Sequence, residues 1–65
     1  MENLKKYREG VIRALIEQYG VDAETAYGMV NGSMLDRCLR LYPGETMSET
    51  YTEWARSIYE NRGQD

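Results

Sequence analysis

The chain has 65 residues, a formal net charge of −3, 42% hydrophobic residues and 29% charged ones, which fits one small folded domain and excludes a disordered polyelectrolyte. It has one cysteine, Cys38, and no histidine, so it can form no intrachain disulfide and lacks the ligands of a structural zinc site. No apolar run approaches the roughly 20 residues that span a bilayer, and no export-type hydrophobic stretch follows the basic N-terminal residues. With a free thiol, a cytoplasmic location is expected.

The first predicted helix covers about residues 3–19. Leu4, Tyr7, Val11, Leu15 and Tyr19 recur at steps of three and four, the spacing of one helix face, and Ile12 and Ile16 widen that stripe. Lys6, Arg13 and Glu17 fall opposite. Gly10 is expected on the outer side, at a cost of about 1 kcal/mol relative to Ala. Gly20 suits the left-handed position just beyond a helix, with Val21 folding back on Ile16. Asp22 follows as N-cap of the next helix.

The second predicted helix runs over about residues 23–41 and is stopped by Pro43, within a Tyr42-Pro43-Gly44-Glu45 turn. At 100° per residue Ala23, Ala26, Tyr27, Val30, Met34, Cys38 and Leu41 share one arc, and the phase holds across Asn31-Gly32-Ser33. One continuous helix is therefore the expected reading. Gly28, Gly32, Leu35 and Leu39 then occupy a flank, where two small residues four apart form a notch that another helix can enter. On this reading Met29 points to solvent. The alternative is a break at Gly32, with Ser33-x-x-Asp36 capping a second short helix.

The third predicted helix covers about residues 47–61. Thr46 and Glu49 form its expected capping box. Met47, Tyr51, Trp54 and Ile58 make its apolar stripe, and Glu49, Glu53, Arg56 and Glu60 its outer face. The last residues, 61–65, are expected to be loose. With no strand pattern or repeat, the expectation is a single all-α domain, a compact three-helix array with short loops.

No side chain stands out as a catalyst. Histidine, the usual general base, is missing, and Cys38 sits on the apolar arc as a small core residue. No phosphate loop or metal spacing is present, so no enzyme activity, metal or cofactor is implied. Acidity gathers toward the C-terminus: residues 1–20 carry four basic and three acidic side chains, residues 21–44 two and three, and residues 45–65 two and five. An acidic third helix argues against a helix in the DNA groove. Six tyrosines and one tryptophan with no phenylalanine suit surfaces that are dry on one edge and wet on the other.

The expected function is a small protein-interaction or regulatory module, binding a partner protein or a second copy by a helix face. The candidate surfaces are Gly28, Gly32, Leu35 and Leu39 on the middle helix, and Glu49, Glu53 and Glu60 on the third. The alternative is a DNA-associated regulator using the basic first helix, with Lys5, Lys6, Arg8 and Arg13. A homodimer is expected because a core this small supplies only about 3–5 kcal/mol.

Overall fold

A computed structural model describes residues 2–61. Among them the chain is all helix, but in five segments: α1 (Glu2–Tyr19), α2 (Ala23–Asn31), α3 (Leu35–Leu41), α4 (Pro43–Met47) and α5 (Tyr51–Glu60). The all-helical expectation holds, while the count of three does not. None of these helices is long and apolar enough to cross a membrane. Residues 62–65, most of the segment expected to be loose, lie outside the described range.

The α1–α2 junction follows its local chemistry. Gly20 takes φ +69°, and its N–H donates to the Ile16 carbonyl at 3.0 Å, closing α1 in the left-handed manner that glycine permits. Two residues later Asp22 Oδ1 accepts from the Thr25 N–H at 2.8 Å and opens α2. The Thr25 side chain, followed by this backbone hydrogen bond, holds the Asp22 carboxyl below the usual range.

The middle helix is not continuous. Gly32 closes α2, with its N–H on the Gly28 carbonyl at 3.0 Å. Ser33 then bridges the gap: its Oγ donates to the Val30 carbonyl at 2.7 Å and accepts from the Leu35 N–H at 3.2 Å. Gly32 has φ −87°, so the break needs no left-handed residue. It is braced from α1, where Arg8 Nη2 donates to Asn31 Oδ1 and Arg8 Nε to Asp36 Oδ1 at 2.9 Å. The same guanidinium lies 5.3 Å from the Tyr27 ring centroid. One arginine thus holds the end of α2 and the start of α3 together.

The break changes which residues face inward. Ala26 and Val30 of α2 are fully buried, as their arc requires, but in α3 it is Leu35 and Leu39 that enter the core. Tyr7, Val11, Ile12, Ala14 and Leu15 of α1 meet them there, with Ala55 and Ile58 of α5. Met29, expected at the surface, packs against this core. Helix α1 makes its most extensive contact with α5 and the next with α2.

The expected turn after α3 is the short helix α4, with Pro43 in its first turn, where a missing N–H costs nothing. Thr46 is buried inside it rather than capping the next helix. The capping box lies four residues later. Thr50 Oγ1 accepts from the Glu53 N–H at 3.2 Å, and Glu53 reaches back to the Thr50 N–H at 3.5 Å. Both Thr46-x-x-Glu49 and Thr50-x-x-Glu53 fit the motif. The second directly precedes the segment that buries Ala55 and Ile58.

Candidate functional site

The residues singled out in the sequence fall in four different places. Leu35 and Leu39 are core, at 0% and 4% exposure, and are not available to a partner of the folded chain. Gly28 is exposed, and a Cβ built there meets nothing within 4 Å; one at Gly32 would lie 3.5 Å from the Gly28 carbonyl oxygen, an ordinary contact. No helix enters the expected notch. Glu60 pairs with Arg56 at 3.2 Å on the outer side of α5. Glu49 and Glu53 line a groove between the end of α3, α4 and α5.

That groove has a volume of about 360 Å³ and is open to solvent. Its carboxylates are Glu45, Glu49 and Glu53, and no lysine or arginine joins them. Its apolar walls are Tyr42, Trp54 and the half-buried Cys38, a free thiol. Among the described residues no three His, Cys, Asp or Glu side chains are grouped to hold a metal ion.

The floor is fixed by two hydrogen bonds from aromatic side chains. Trp54 Nε1 donates to the Thr46 carbonyl at 3.1 Å, and the Tyr7 hydroxyl of α1 donates to the Glu49 carbonyl. Burial, followed by the charge of Glu49, the neighbouring Tyr51 and the charge of Glu53, pushes the Tyr7 hydroxyl above its ordinary pKa. The end of α4 is thereby tied to α5, and the α4–α5 turn to α1.

Beside the groove runs the outward face of α3. Met34, the N-cap of α3, is 66% exposed, Leu41 59% and Tyr42, its C-cap, 58%; with Cys38 they stand at i, i+4, i+7 and i+8, the spacing of one helix side. The rotation that buries Leu35 and Leu39 is what presents them. Met34, Cys38 and Leu41 belong to the arc the sequence places inside, so only the capping signal at Asn31-Gly32-Ser33 could have revealed this face. Glu45 was missed because Tyr42-Pro43-Gly44-Glu45 reads as a turn.

The basic character of α1 is partly used within the fold, since Arg8 is held by Asp36 and Asn31, while Lys5, Lys6 and Arg13 are exposed. No protein family, curated protein or solved structure matches the chain.

Proposed function

We propose that this chain is a small regulatory or adaptor module that acts by binding a protein rather than by catalysis, and that the outward face of α3 with the adjoining groove is its binding surface. The observation that carries this reading is the run of Met34, Leu41 and Tyr42, each more than half exposed, at the spacing of one helix face, where no other Val, Leu, Ile or Met among the described residues is exposed. An apolar helix face of this kind is a costly thing to leave in water and a ready seat for another helix. The nucleic-acid alternative draws less support, because Arg8 is engaged within the fold and the groove is acidic.

The test compares the wild-type chain with Met34→Ser/Leu41→Ser, both at exposed positions. Light scattering after size exclusion reads self-association, and quantitative affinity capture from the native cell reads other partners. The expected result is an association, of either kind, that the double variant weakens about tenfold or more. A one-chain mass together with identical capture by both proteins would overturn the reading.

A further inference from the structure

We propose that the occupant of this surface is a cationic amphipathic helix of another protein, with its apolar stripe on Met34, Leu41 and Tyr42 and its basic edge on Glu45, Glu49 and Glu53. The inference rests on the docking role proposed above and adds the chemistry of the partner.

Charge decides between a second copy and a different chain. The groove presents three carboxylates and no cation. A two-fold dimer closed on the groove would bring the same three carboxylates of both copies together as they lose water, which is the like-charge juxtaposition that rejects a partner. A basic segment meets the same groups with the opposite result. Tyr42 and Trp54 border the carboxylates and offer ring faces of the type that accept a guanidinium. Helical spacing places Arg37 on the rim away from Tyr42, so the basic edge of the occupant lies toward α5.

Shape decides the kind of segment. Met34 to Tyr42 is about 12 Å along a helix axis, roughly two turns, and the exposed side chains recur at helical steps. A helix laid alongside supplies apolar anchors at i, i+3 or i+4, and i+7, the helix-in-groove mode.

Trp54 is the only tryptophan of the chain and stands in the groove wall, so its fluorescence reports occupancy directly. The probe is a synthetic helix of about 18 residues without tryptophan, with leucine on one face and lysine and arginine along its edge; the control replaces every basic residue by glutamate. The cationic peptide should saturate the signal at tens of micromolar or below, about tenfold or more tighter than the control. Glu45→Gln/Glu49→Gln, at exposed positions outside the capping box, and Leu41→Ser should each weaken it about tenfold. Equal binding of both peptides would overturn the cationic assignment and leave the docking role standing. Binding undiminished by Leu41→Ser would mean charge adhesion elsewhere and overturn the proposal. If neither peptide binds, a two-chain mass in light scattering makes the face a self-interface, and a one-chain mass removes both readings.

Discussion

At Gly10 two effects of a glycine pull against each other. Glycine in mid-helix costs about 1 kcal/mol relative to Ala, yet a Cβ added here would lie 2.5–2.7 Å from three ring atoms of Tyr51. The ring rests on the helix backbone, with its centroid 5.0 Å from that of Tyr7 at 67°, an edge contact of about 0.5–1.5 kcal/mol. The close approach sought at Gly28 and Gly32 is therefore found at Gly10, with buried Ala14 four residues on. Gly10→Ala should destabilise by about 0.5–1 kcal/mol in the wild type and stabilise by about 1 kcal/mol when Tyr51 is already Ala. Denaturant titration of the four proteins measures the coupling, and equal effects in both backgrounds would refute the contact. Gly28→Ala, with open space around it, should stabilise by about 0.5–1 kcal/mol in the same assay. Tyr7 adds a pH dependence. Its hydroxyl is raised above 10.0 by burial first and by Glu49, Tyr51 and Glu53 after it, so the unfolded chain loses this proton before the folded one. Stability from Tyr7 is complete below about pH 10 and falls as pH rises through the folded value. As pH rises above about 10 the wild type should lose more stability than Tyr7→Phe; parallel losses would contradict the assignment.

At the scale of elements, the signals that acted locally were legible. Gly20 and Asp22 do what their residue types dictate, because an αL closure and an Asx cap are satisfied within four residues. The break at Asn31-Gly32-Ser33-Met34 was legible only as an alternative, because it is completed by a residue far away in sequence. Arg8 of α1 bonds both Asn31 and Asp36 across the turn. The two candidate capping boxes likewise look alike in sequence, and burial of Ala55 and Ile58 selects Thr50 over Thr46. The rotation of α3 makes a sharp prediction for two leucines two residues apart. Leu39→Ala should cost about 2–4 kcal/mol, while Leu41→Ala, at 59% exposure, should stay within about 0.5 kcal/mol. Chemical denaturation decides, and a larger loss at Leu41 than at Leu39 would restore the unbroken phase.

For the whole molecule, the groove and the exposed α3 face exist only because the five helices pack as they do. Two of the three groove carboxylates, Glu49 and Glu53, were legible as an acidic helix face. Their meeting with Tyr42, Cys38 and Trp54 was not, since it needs the break, the α4 turn and the Trp54–Thr46 hydrogen bond together. The exposed face depends on the orientation of α3, and methionine oxidation reads that orientation without any mutation. Met34 is 66% exposed, whereas Met29 and Met47 are half-buried against the core; an unbroken middle helix would place Met29 outside and Met34 inside. Under dilute hydrogen peroxide in native buffer, followed by peptide mass spectrometry, Met34 should form its sulfoxide several-fold faster than Met29 or Met47. Faster oxidation of Met29 with Met34 protected would contradict this orientation of α3.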